Sequence, residues 1–259
     1  MKNKPRVLFF DIETSYIITR EYKWGIWDER AIEQEIVQDW QILTIAWRWL
    51  GEKKIHCLGQ DDFDDYKAGK INDLSLLKYF HKVIDEADIV VAHHGDPFDI
   101  KKLNTRMIIN KIPPYSPTKQ YDTKKAYKRV GAFTSNKLAN LSKDTGGNPK
   151  GDPGGFKTWK GCVAGDPKAW SHMKKYNKLD IPPLEDIYHE ITPWDKQSPA
   201  LNIYNEDLDS CTNCLGTNIQ KRGFASPTKT GRKRKYQCQD CFKWMYGRTT
   251  FKSDVMYTN

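Results

Sequence analysis

Asp11 and Glu13 stand two residues apart at the end of a short apolar run, Arg6–Phe10. Side chains alternate along an extended strand, so both carboxylates project from one face. Asp99 opens a helix-like segment just after a second apolar stretch, Asp88–His93, and Asp180 closes a helix-like segment that starts at Pro167. Tyr176 lies four residues before Asp180, a spacing that puts phenol and carboxylate on one helical face. Four carboxylates brought together repel unless cations sit between them, and hard oxygen ligands select Mg²⁺ or Mn²⁺.

Sulfur chemistry is confined to another part of the chain. Of six cysteines, four form Cys211-x-x-Cys214 and Cys238-x-x-Cys241. Two tight turns of this kind bring four thiolates into a tetrahedron, which suits one structural Zn²⁺. The 23 residues between the pairs require a long hairpin. Cys57, in a strand-like stretch, and Cys162, in a loop, have no local partner and are expected to be plain small residues.

Charge follows the same division. The 259 residues carry 42 Lys+Arg against 33 Asp+Glu, a net +9. Residues 211–252 hold ten of the bases (Lys221, Arg222, Lys229, Arg232, Lys233, Arg234, Lys235, Lys243, Arg248 and Lys252) and a single acid, Asp240, so the remainder is balanced. A concentrated basic patch points to a polyanion, nucleic acid being the usual one. Tyr236, Trp244 and Tyr246 either stack on unpaired bases or form the core of this small module. No apolar run approaches the ~18 residues of a membrane span, and Val7–Phe10 is too short for a signal-peptide core. The chain is therefore expected to be soluble and cytoplasmic, with no membrane partner.

The elements that must position these groups make an α/β layered domain. Arg6–Phe10 predicts a buried strand. Residues 14–40, with Trp24, Trp27 and Trp40, predict a surface excursion, and Ile42–Leu50 with Lys54–Leu58 predict a hairpin turning at Gly51-Glu52. Asp61, Asp62, Asp64 and Asp65 fit a solvated turn. A helix is expected over Leu74–Ile84, capped by Asn72 or Asp73. Asp99–Asn110 predicts another, with Ile100, Leu103, Met107 and Ile108 inward. A short strand near Tyr121, helices over Thr123–Arg129 and Asn136–Thr145, a Gly/Pro loop over 146–155 and a last helix from Pro167 to about Leu179 follow. Residues 1–197 are expected to form this domain and 198–259 the cysteine module, joined from Ser198-Pro199.

Phe10-Asp11-Ile12-Glu13-Thr14, His93-His94-Gly95-Asp96-Pro97-Phe98-Asp99 and Tyr176-Asn177-Lys178-Leu179-Asp180 resemble the three exonuclease motifs of the DnaQ-like (DEDD) 3′–5′ exonucleases. Tyr121-Asp122-Thr123, Ser135–Leu138 and Gly165–Trp170 are similar to that family too, so the likeness spans roughly residues 6–190. Tyr176 assigns the tyrosine subclass; the histidine subclass has His where Lys175 stands, and His172 is on the wrong turn.

The resemblance implies a ribonuclease H-like five-stranded mixed sheet flanked by helices. It also implies two Mg²⁺ or Mn²⁺ ions, one held by Asp11, Glu13 and Asp180 and the other by Asp11 and Asp99. One ion would activate water and the other stabilise the leaving 3′ oxygen, with Tyr176 orienting the water. Thr14, His94 and Phe98 would line the nucleic-acid path, although buried packing is the favoured role for Phe98. Two positions depart from the family pattern: His94 stands where Asn is common, and Pro182-Pro183 follow Asp180, which predicts a kink there.

The tail resembles the zinc ribbons of transposases and other DNA-binding proteins, and implies phosphate contacts from Arg232, Lys233, Arg234 and Lys235 with Trp244 beside them. The expected activity is release of 5′-mononucleotides from DNA 3′ ends. Exoribonuclease activity, or nucleic-acid or replisome binding on an inactive nuclease fold, are the alternatives, and a polymerase partner would act in trans.

Overall fold

The computed structural model describes residues 4–20, 35–149, 151–204, 208–226 and 231–251; Trp24, Trp27, Lys229 and Lys252 lie outside them. Strand β1 (Val7–Thr14) is the spine. A short pair, β2 (Ile18–Thr19) and β3 (Ile36–Gln38), stands apart and leads into β4 (Ile42–Trp49) and β5 (His56–Gly59). Then come α1 (Leu74–Asp85), β6 (Ile89–Ala92), α2 (Asp99–Ile109) and β7 (Lys119–Asp122). The main sheet has the order β5-β4-β1-β6-β7. β4 and β5 run antiparallel to their neighbours, and β1, β6 and β7 run parallel. This is the five-stranded mixed sheet of a ribonuclease H-like fold.

Alternation along β1 builds two cores. Leu8, Phe10 and Ile12 pack with Leu77, Phe80, Ile100 and Leu103 of α1 and α2. Val7 and Phe9 face the opposite layer, which contains α3 (Thr123–Val130), α4 (Leu138–Asp144), α5 (Phe156–Ala164), α6 (Pro167–Leu179) and α7 (Ile181–Ile191). Asp11 and Glu13 share the parity of Val7 and Phe9, so they face the α6–α7 side. Within the α1–α2 layer, buried Asp73 takes Arg106 through two bonds of 2.7 and 2.9 Å and accepts the Ile42 N–H at 3.0 Å. Asp73 occupies the N-cap position of α1 without a capping bond, while Asn72 Oδ1 accepts from the Leu74 N–H at 3.1 Å.

One sequence expectation holds and two are corrected. Pro182-Pro183 do interrupt the helix after Asp180: α6 ends at Leu179 and both prolines lie in the first turn of α7, where N–H groups have no intrahelical acceptor in any case. Asp180 keeps helical angles (φ −82°, ψ −16°), ends α6 and starts α7. Cys162 is in α5 and fully buried, the helix being closed by left-handed Gly165 (φ +89°). Ile108 points outward, at 75% exposure, because the inward stripe of α2 is narrow.

The cysteine module is a three-stranded antiparallel sheet of β8 (Ile219–Phe224), β9 (Arg232–Cys238) and β10 (Trp244–Phe251), β9 central. β8 and β9 form the expected hairpin between the Cys pairs. The sheet is fixed to the α/β layers: Lys243 Nζ is buried and donates to the carbonyls of Thr192 (2.7 Å) and Asp195 (2.5 Å) and to Ser198 Oγ (2.9 Å). Leu201 N–H adds a bond to the Thr212 carbonyl at 2.7 Å. No helix among the described residues is long and apolar enough to cross a membrane.

Candidate active site and metal centres

β1 outruns its parallel neighbour: β6 pairs with Val7, Leu8 and Phe9 and then stops. Asp11–Thr14 therefore project past the sheet edge on that side while β4 still supports them on the other. α6 crosses this end and delivers Asp180. One carboxylate oxygen each from Asp11, Glu13 and Asp180 lies within 4.8 Å of the others. Asp180 is buried and the other two are half-buried. An octahedral ion with ~2.1 Å bonds spans ~4.2 Å between opposite ligands, so this donor set matches Mg²⁺ or Mn²⁺ in chemistry and in size.

Asn177, which the sequence pattern marks only as a motif position, organises the cluster. Its buried amide donates to Asp11 Oδ2 at 2.7 Å and accepts from Thr44 Oγ1 at 3.0 Å. Thr44 is the β4 partner of Glu13, so one side chain ties both strands to α6. A buried amide one residue after a Tyr on a core-facing helix is the signal that would have found it. Cys57 Sγ lies 3.9 Å from the same Asn177 oxygen, and burial pushes its thiol up to about 12, as expected of an unreactive packing residue.

Asp99 stands beside the three-carboxylate cluster. Its Oδ1 accepts the Ile12 N–H at 3.2 Å, the backbone donor that β6 is too short to satisfy, which places the α2 N-terminus next to the Asp11–Glu13 segment. Phe98 departs from the favoured expectation of burial: its ring is 39% exposed, with Lys102 Nζ 5.1 Å from its centroid.

The loop before Phe98 is clamped by Asp122, which accepts from the N–H groups of His94 (3.1 Å), Asp96 (3.4 Å) and Lys125 (3.2 Å). His94 is exposed at φ +67°, a left-handed geometry that Asn and His tolerate better than most residues, which gives a backbone reason for either at this place. His93 is held by Thr123 Oγ1 (2.9 Å) and the Asn136 carbonyl (3.0 Å). Burial drives its imidazole down to about 4, so it is neutral.

Tyr176 is buried on α6, its ring edge-on to Trp159 at 6.2 Å. Thr14 follows a bulge in β1 after Glu13 and, with Ser15, Tyr16, Gly155, Phe156 and Trp159, lines an open cavity of about 410 Å³. His172 is exposed.

The four paired cysteines converge. Cys211 and Cys241 Sγ are 3.6 Å apart, as are Cys214 and Cys238. A Zn²⁺ tetrahedron with ~2.3 Å bonds has edges of ~3.8 Å, so the sulfurs fit the ion. The residue after each second cysteine, Leu215 or Phe242, has φ +62°. The Asn213 and Gly216 N–H groups point at Cys211 and Cys214 sulfurs at 3.4 Å. Burial pushes the Cys211 thiol up to about 11 and Cys214 higher still, whereas Cys241 is held below its ordinary value, against its own burial, by the Lys243 N–H and neighbouring donors; a bound cation is what lets all of them ionise together.

Of the basic run, Arg232 and Lys233 are exposed and Arg234 and Lys235 half-buried. The Arg232 and Arg234 guanidinium groups cover the Phe224 ring at 4.2 and 4.5 Å. Trp244 (51%) and Tyr246 (59%) are exposed and Tyr236 is half-buried, so Trp244 and Tyr246 are not core.

No curated protein matches the chain. Among solved structures it is similar to the family B DNA polymerase from the hyperthermophilic archaeon Pyrobaculum calidifontis, at 15% identity and a TM-score of 0.49, over 74% of this chain and 25% of that one. The chain thus spans about a quarter of that polymerase. The sequence profile of the RNase H superfamily matches residues 32–192, more than half of its length. The chain belongs to the RNase H superfamily.

Proposed function

We propose that the protein is a metal-dependent 3′–5′ exonuclease of the tyrosine DEDD subclass that shortens DNA from its 3′ end and releases 5′-mononucleotides. The observation that carries this reading is the meeting of Asp11, Glu13 and Asp180 oxygens within 4.8 Å at the open end of β1. Asp11, Glu13 and Asp180 would hold one divalent ion, and Asp11 with Asp99 a second. Bound there, the ions supply an activated water and neutralise charge on the leaving 3′ oxygen.

The chain's own groups do the rest. Asn177 fixes the Asp11 carboxylate, and Asp99 holds the backbone between Asp11 and Glu13. The Tyr176 phenol orients the attacking water by a hydrogen bond. Thr14, His94 and Phe98 line the approach of the 3′ nucleotide. Residues 1–197 form the nuclease domain and 198–259 a zinc ribbon whose Cys211, Cys214, Cys238 and Cys241 bind one Zn²⁺. Arg232, Lys233, Arg234 and Lys235 meet phosphates, an interaction that weakens with salt.

The test is incubation of 5′-labelled DNA and RNA oligonucleotides with Mg²⁺ or Mn²⁺, using wild type and Asp11→Ala. A ladder of 3′-shortened DNA from wild type alone supports the assignment. Shortening of RNA alone transfers it to an exoribonuclease, and no product from either polymer removes the enzymatic reading.

A further inference from the structure

The buried Lys243 ammonium sets the relative position of two exposed aromatic walls. On the ribbon, Lys243 is flanked by Phe242 and Trp244; on the nuclease side, its acceptors Thr192 and Asp195 flank Trp194. The three rings are 66%, 51% and 75% exposed, and between them lies a cavity of about 570 Å³, completed by His189, Glu190, Pro193, Gln237 and Cys241. Large aromatic side chains gathered in one open cleft are unusual on a protein surface and mark an interaction site. The Phe242 ring is presented from a left-handed backbone (φ +62°), a geometry costly for a bulky residue.

We propose that this cleft is a second nucleic-acid site, in which unpaired bases of a single strand stack against Trp194, Phe242 and Trp244. Charge selects this occupant. Glu190 is the acid in the lining, whereas Lys233 and Lys235 share the face of β9 that presents Gln237 to the cleft, with Lys235 Nζ 5.8 Å from the Trp244 ring; Arg232 and Arg234 lie on the opposite face against Phe224. Aromatic faces interleaved with cations are how sequence-tolerant single-strand sites are built.

α7 connects the two sites. It starts directly after Asp180 and ends at Ile191, just before Trp194. Eleven helical residues rise ~16 Å, so the cleft and the carboxylate cluster stand at the two ends of one rigid rod. A strand gripped in the cleft is held at a fixed offset from Asp180, and Trp194 becomes a positioning residue contributed by the nuclease side.

This inference rests on the nuclease reading for its purpose but not for its test. Full-length Asp11→Ala protein, which cannot consume the probe, is titrated with a 5′-fluorescein oligo(dT) of roughly 16 nucleotides, with no divalent ion added. Anisotropy reports binding and tryptophan emission reports stacking. Trp194→Ala and Trp244→Ala, each in the Asp11→Ala background, are expected to weaken binding about tenfold and to lose part of the quenching. Trp194→Phe restores most of the affinity, and zinc content and circular dichroism stay at the parent level. Duplex DNA competes poorly.

Unchanged affinity in Trp194→Ala, whether or not Trp244→Ala weakens binding, overturns the proposal, because the nuclease wall would then play no part. Equal loss in Trp194→Phe and Trp194→Ala overturns it as well. Strong binding with no ladder from wild type in the degradation assay would sink the exonuclease assignment and leave the cleft standing.

Discussion

Asn177 Nδ2 reaches Asp11 Oδ2 at 2.7 Å from inside the protein, and its oxygen is held by Thr44 at 3.0 Å. The amide is fully buried, so it has no solvent to turn to and its orientation is set by those two partners. The carboxylate at the head of the proposed metal site is thus aimed by a helix residue three positions before Asp180. Asn177→Ala should keep the fold and lower both Mn²⁺ affinity and turnover about 10–100-fold. Asn177→Asp, which faces Asp11 with a like charge, should be worse. Manganese titration by calorimetry beside the ladder assay checks both; wild-type behaviour of Asn177→Ala would show that Asp11 needs no such support.

His93 gives the fold an acid-sensitive point. Its folded pKa, about 4 because of burial, lies below the ordinary ~6.5. The unfolded chain therefore binds the extra proton first as pH falls. Stability from this group is complete above about pH 6.5 and is lost progressively toward pH 4, about 3 kcal/mol in all. Urea midpoints measured across that window should fall in wild type and fall less in His93→Gln. Parallel curves would place the titration elsewhere.

The thiols should behave as one unit with their ion. Metal analysis is expected to find one zinc per chain, lost on Cys211→Ser. Zinc uptake should release protons and weaken as pH drops, because the four sulfurs must shed protons to bind. Lys243→Met leaves the Thr192 and Asp195 carbonyls without their cation and should cost about 3 kcal/mol while the zinc content holds. Zinc loss in Lys243→Met would mean that the ribbon does not fold independently of its anchor.

Pro182 and Pro183 should matter little. Both lie in the first turn of α7, so replacing either with Ala restores no helical bond and mainly loosens the unfolded chain, a change of about 1 kcal/mol or less. A larger shift in melting temperature, or an altered Mn²⁺ affinity, would show that the prolines shape the Asp180 turn.

What the sequence revealed and what it hid differ in kind. The alternation of Val7, Phe9, Asp11 and Glu13, the two Cys-x-x-Cys pairs and the hairpin between them are local patterns, and the structure reproduces them. The three carboxylates that meet were named from their motifs. Asn177 was passed over because its role exists only when α6 lies across β1 and β4, a relation over more than 130 residues. The interruption at Pro182-Pro183 was legible as well, because a proline that cannot continue α6 fits the first turn of α7. Phe98 was expected inside because it is apolar, but its loop is clamped by Asp122 through the His94 and Asp96 N–H groups, and the ring stands outward. The Lys243 anchor was hidden because it is one of ten bases between residues 211 and 252 and its acceptors are carbonyls about 50 residues away in the chain.

The central claim is that Asp11, Glu13 and Asp180 cage a divalent cation. A crystal soaked in Mn²⁺ and measured at the manganese edge tests it most directly. An anomalous peak ligated by those three carboxylates, absent from Asp180→Asn crystals, is the expected result. A well-ordered Asp11, Glu13 and Asp180 with no peak among them, at a manganese concentration that supports any activity present, would contradict the account.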